Sequence, residues 1–121
     1  MILTIQGYNI NFGYKSVLKS EWKKGNMPSV TKGIYGGTLT KGNVSLEHLI
    51  PHSKGGKTDL ANLALAVDKL NWKRADKPLN GFLTKDMIES YLAQFKDVNL
   101  PDFKGSEYIE KVSKTLARLL K

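Results

Sequence analysis

A chain of 121 residues is long enough for one domain with its own core, and the absence of cysteine excludes disulfides, which fits a reducing compartment. Lys and Arg number nineteen against eleven Asp and Glu, a formal charge of +8 that favours a polyanionic partner over an acid-averse surface. The opening Met1-Ile2-Leu3-Thr4-Ile5-Gln6 is too short and uncharged for a secretory signal, and no apolar run approaches the roughly 20 residues of a membrane span, so an intracellular, cytoplasmic protein without a membrane partner is expected.

Ile2 to Ile5 reads as a short strand. Tyr14 to Lys24 carries Tyr14, Val17, Leu18 and Trp22 at helical spacing, and Gly25-Asn26-Met27-Pro28 stops that helix. A strand is predicted near Val44 to His48, a loop from Leu49 to Asn62, a second strand near Leu63 to Ala66, and a helix from about Lys69 to Lys77 with Asp68 as its N-cap. Asn80-Gly81 marks a turn. Thr84 caps a helix striped by Met87, Ile88, Tyr91, Leu92 and Phe95, and Leu100-Pro101-Asp102 breaks the chain. Ser106 caps a last helix with Ile109, Val112, Leu116, Leu119 and Leu120 on one side. Both stripes are expected to pack on the core.

The chemistry-bearing residues lie in Val44 to Pro78, VSLEHLIPHSKGGKTDLANLALAVDKLNWKRADKP. Glu47-His48 ends the first strand, Pro51 and Gly55-Gly56 shape the loop, Asn62 follows His48 by fourteen residues, and Asn71 follows Asn62 by nine. An imidazole with an ordinary pKa of about 6.5 accepts a proton from water near neutral pH, and carboxylate and amide oxygens suit a hard divalent cation. Adjacent strand residues face opposite ways, so Glu47 and His48 share a site only if the strand bends or ends there. Pro51 makes an ending plausible, because it donates no ladder hydrogen bond and biases Ile50 to an extended conformation.

This order and spacing resembles the core of the HNH endonuclease family, in the HNN variant also found in the type II CRISPR effector nucleases. The resemblance covers about a third of the chain. It implies an α+β fold with a ββα-metal (His-Me finger) core at about 41–78, an N-terminal support at 1–40 and a C-terminal helical support at 82–121, within one nuclease domain spanning 1–121. It further implies cleavage of DNA, with His48 as general base and Asn62 holding the loop in register. Glu47 and Asn71 are the implied ligands of one divalent ion, Mg²⁺ in first place with Mn²⁺ or another ion as substitute. His52, in the same loop, is a candidate supporting residue behind that set, with metal ligation or a phosphate contact as its direct alternatives. A phage or mobile-element origin is also in keeping with the family.

Many members of the family carry a zinc ribbon with two CxxC pairs. Gly33-Ile34-Tyr35-Gly36-Gly37 stands in the first place here and Val67-Asp68-Lys69-Leu70 in the second, so the chain resembles a ribbon type whose cysteines are lost, and no structural zinc is expected.

Lys54 and Lys57 flank the Gly-Gly turn, and Lys73, Arg74 and Lys77 follow Asn71; all five are candidate phosphate contacts, with backbone N–H groups at that helix start favouring a phosphate nearby. Trp72 is expected to pack into the core rather than to stack on a sugar or base, the commoner fate of large aromatics. A non-catalytic DNA-binding or regulatory protein on the same scaffold and a protein-interaction module using its basic surface are the alternatives.

Overall fold

The computed structural model describes residues 10–120, with side chains from residue 17 onward; the strand expected at Ile2 to Ile5 lies outside the described residues. The fold is α+β. In chain order, α1 (Ile10–Lys23) precedes strand β1 (Val44–His48), β2 (Leu63–Val67), α2 (Asp68–Arg74), α3 (Lys85–Ala93), a two-residue hairpin of β3 (Asn99–Leu100) and β4 (Phe103–Lys104), and α4 (Gly105–Leu119). Among the described residues no helix is long and apolar enough to cross a membrane.

β1 and β2 form an antiparallel pair in which Val44 faces Val67 and His48 faces Leu63. All four residues from Leu63 to Ala66 are fully buried, because β2 is covered on both faces and along its outer edge. That edge exposes the backbone groups of Leu63 and Leu65, which β1 does not pair. Ile34 donates its N–H to Leu65 O at 2.9 Å. Leu65 N–H in turn donates to Tyr91 Oη at 2.9 Å, Tyr91 and Tyr108 hydroxyls meet at 2.8 Å, and Tyr108 donates to Leu63 O at 2.7 Å. Two helices thus satisfy one strand edge through two phenols, leaving no buried donor or acceptor unpaired there.

The same tyrosines anchor an aromatic cluster. Tyr108 lies 4.8 Å from Phe95 and 5.3 Å from Phe103, centroid to centroid, at tilted angles that suit ring quadrupoles. Burial pushes both phenols above their ordinary pKa of 10.0, most strongly because phenolate would be desolvated. A raised folded-state pKa contributes stability that is complete below the unfolded value and is lost above it. Urea unfolding followed at increasing pH is therefore expected to show stability falling once the pH passes about 10, with phenolate absorbance from Tyr91 and Tyr108 appearing only as the fold opens.

Thr84 Oγ1 accepts from Met87 N–H at 3.2 Å and caps α3. Ser106 does not cap α4: that helix begins at Gly105, whose missing Cβ would stand 1.8 Å from Phe95 O. Nor is Asp68 an N-cap. It is the first residue of α2, and its Oδ1 accepts from the neighbouring Lys69 N–H at 2.7 Å. The helix ends at Arg74, three residues short of Lys77, where Ala75 takes a positive φ of 51°. Arg74 turns its Nε back to Lys77 O at 2.7 Å, which bends the chain out of the helical path.

Candidate active site

β1 ends at His48, and the chain continues alongside β2 for one more step, with Leu49 N–H donating to Asn62 O at 2.9 Å. Asn62 sits at the end of a short 3₁₀ turn, 5% exposed, and its amide faces the residue two beyond His48. Its Oδ1 accepts from Ile50 N–H at 2.7 Å, while its Nδ2 donates to Ile50 O at 3.0 Å and to Lys57 O at 2.9 Å. The loop can close this tightly because Gly55 adopts a left-handed φ of 86° and because a Cβ on Gly56 would stand 1.7 Å from Ile50 O. Asn62→Ala leaves Ile50 N–H and two carbonyls without partners, and is expected to cost about 1–3 kcal/mol in urea unfolding.

His48 is half-buried. Its Nε2 lies 3.0 Å from Thr58 Oγ1, and the ring of the exposed His52 meets it edge-on with centroids 5.2 Å apart. The 49–62 loop therefore supplies contacts on two sides of the imidazole.

Glu47 points to the other face of β1, beneath α2. It is 4% exposed, and its Oε2 accepts from the Tyr35 hydroxyl and from Arg74 Nη1 at 3.2 Å. Burial raises its pKa above the ordinary carboxylate value, opposed first by the Tyr35 hydrogen bond and then by the Arg74 charge. Tyr35 is pushed up as well, by burial and by the carboxylate it serves.

Arg74 corrects the sequence reading. Expected to reach phosphate, it is 2% exposed and donates to Glu47 Oε2, His48 O at 3.0 Å, Leu49 O at 3.1 Å and Lys77 O. Four of its five donors are engaged within the protein. Lys54, Lys57, Lys73 and Lys77 are exposed, with Lys54 Nζ resting 3.0 Å from Asp76 O and Lys77 Nζ 5.9 Å above the Phe82 ring. Trp72 is the second correction: it is 69% exposed rather than packed in the core.

Asn71, one helical turn before Arg74, faces β1 too. Its Nδ2 donates to Ser45 Oγ at 3.1 Å and to Leu46 O at 3.3 Å, and its Oδ1 receives no hydrogen bond from the described residues. Glu47 and Asn71 are thus brought to the α2 side of β1, whereas His48 and His52 meet on the loop side. Among the described residues no group of three His, Cys, Asp or Glu side chains gathers as a metal cluster.

The two stretches that stand in place of the cysteine pairs do meet. A Cβ on Gly33 would lie 2.9 Å from Ala66 Cα, and one on Gly37 would lie 3.1 Å from Val67 Cγ2 and 3.5 Å from Leu70 Cδ1. Apolar contact joins them, and Gln94 fastens the residues just before the first stretch, accepting from Thr31 and Lys32 N–H at 2.9 and 3.0 Å.

Tyr35 and Arg74 are the positioning residues that reading in sequence missed. Charge alone points Arg74 to the surface, and Tyr35 stands in the sequence as one residue of a glycine-rich turn.

The chain matches no protein-family model, no curated protein and no solved structure. Its function is therefore argued from the site itself.

Proposed function

We propose that the chain is a metal-dependent endonuclease of the HNH class, built on a ββα-metal unit, that hydrolyses DNA phosphodiester bonds. The observation that carries this reading is the use of two amides as clamps on β1 and the residues that continue it. Asn62 locks the loop immediately beyond His48, and Asn71 is held by its nitrogen with its oxygen left for a ligand.

His48 takes the proton of the attacking water, its ring held in place by Thr58 and His52. Lys54, Lys57, Lys73 and Lys77 hold the phosphate backbone. In kind, the Asn71 Oδ1 and the Glu47 carboxylate suit one hard cation. Glu47, however, is 4% exposed, its Oε2 is bonded to Tyr35 and Arg74, and it lies on the face of β1 opposite His48, so an ion there competes with the Arg74 pairing. Asn71 and Glu47 would hold the ion, and His52 stands next to the base rather than beside those ligands. Bound there, Mg²⁺ or Mn²⁺ would neutralise charge on the scissile phosphate and the leaving oxygen.

Plasmid cleavage with Mg²⁺ or Mn²⁺ tests the proposal, with EDTA and His48→Ala as comparisons. Cleavage that needs the metal and His48 supports it; full activity in the variant removes the proposed base.

The Glu47–Arg74 pairing favours one second reading, a DNA-binding protein without catalysis on the same scaffold. Binding that persists in EDTA, with no cleavage under any divalent ion, selects it.

A further inference from the structure

Trp72 is the only large apolar side chain that the described residues leave in solvent. The contrast with Trp22 is informative, since that indole is half-buried and donates to Val30 O at 2.7 Å. Trp72 has no hydrogen bond or ring contact with any described residue. Its exposure follows from the shortness of α2. The helix turns Asn71 and Arg74 toward β1 and Leu70 toward Gly37, and Trp72 is left on the outer side with Lys69, its neighbour three residues back, and Lys73.

The surroundings are basic rather than apolar. Lys69, Lys73 and Lys77 are exposed along α2 and its continuation, and Lys54 is drawn to the end of that segment by Asp76 O. The nearby carboxylates are Asp76, which is exposed, and Asp68, which is half-buried and accepts from Lys69 N–H. A protein partner would need a contiguous apolar patch of several hundred Å², whereas a single indole with the exposed Lys69 and Lys73 as helix neighbours does not provide one. An aromatic face flanked by cations instead complements a nucleic-acid strand, with phosphates on the lysines and a base on the ring. Bases in a duplex have their faces closed by their neighbours, so only an unpaired base can lie flat on an exposed ring.

We propose that Trp72 is a stacking platform for an unpaired nucleobase, so that the outer side of α2 takes single-stranded DNA ahead of duplex. The inference deepens the nuclease reading by naming the form of its substrate.

The test is anisotropy of labelled oligonucleotides, single-stranded and duplex of one sequence, in EDTA at fixed salt, with wild type, Trp72→Ala and Trp72→Phe. Wild type is expected to bind the single strand more tightly than the duplex. Trp72→Ala is expected to lose roughly five- to 150-fold on the single strand, the range of one base stacked on an aromatic ring, with less than about twofold change on the duplex. Trp72→Phe keeps most of the single-strand affinity. Equal loss on both forms, no loss on the single strand, or a wild-type preference for duplex would overturn the inference. Cleavage is scored separately: Trp72-dependent single-strand binding by a chain that cuts nothing retains the stacking platform and removes the nuclease reading. Metal-dependent cutting with unchanged binding by Trp72→Ala does the reverse.

Discussion

Arg74→Ala is expected to lower the stability of the fold by about 3–5 kcal/mol, the cost of removing one partner of a buried ion pair. The guanidinium is 2% exposed and is the only cation bonded to Glu47 among the described residues, so its loss leaves a carboxylate that is 4% exposed with the Tyr35 hydroxyl as its remaining side-chain partner. The carbonyls of His48 and Leu49 lose their Arg74 donors in the same step. Arg74→Lys retains the charge but presents a single ammonium in place of a planar fork, and is expected to recover only part of the loss. Replacing Glu47 and Arg74 together by apolar residues is expected to cost less than the sum of the single changes, because no lone buried charge remains. Urea unfolding of wild type, Arg74→Ala, Arg74→Lys, the apolar replacement of Glu47 alone and the double change measures each value. A loss from Arg74→Ala below about 1 kcal/mol would show that the pair is a solvated contact rather than a buried tie.

His48→Ala is expected to reduce DNA cleavage by about 10²–10⁴-fold on the nuclease reading, the usual contribution of a positioned general base. The change is expected to leave the fold intact, since His48 is half-buried at the end of β1 rather than part of the apolar core. Single-turnover cleavage of a supercoiled plasmid at saturating Mn²⁺, with circular dichroism as the check on folding, reads the effect. Glu47→Ala offers no such clean comparison. Its effect on rate would be mixed with the release of Arg74, so a loss of activity there would not distinguish a metal ligand from a structural acid.

The hairpin and helix between Val44 and Arg74 were legible in sequence because their signals are local. Apolar residues concentrate where β2 is buried, Pro51 and Gly55-Gly56 mark the loop, and the change of period after Val67 announces the helix. Side-chain direction on α2 was not legible. Charge suggested that Arg74 faces solvent and size suggested that Trp72 faces the core, and the structure inverts both. A seven-residue helix offers one short face to the strand, and Asn71 and Arg74, three residues apart, occupy it. Arg74 stays inside because a carboxylate and three carbonyls, two of them across the hairpin, satisfy its donors, which no pattern within the helix encodes. Tyr108 escaped notice for a related reason. Its acceptor, Leu63 O, lies 45 residues away, and the last helix was read from its aliphatic residues alone. The small β3–β4 hairpin is only two residues per strand, too short for alternation to register.

At the outer edge of β2, side chains from α3 and α4 stand where a neighbouring strand would lie. Short hairpin cores are tempting to excise as minimal units, but a fragment ending near Pro78 would keep Ile34 on Leu65 O and leave Leu65 N–H and Leu63 O without their phenol partners on an entirely apolar strand. Such a fragment has the makings of a template for self-association. The two C-terminal helices therefore act as a built-in guard against edge-to-edge pairing.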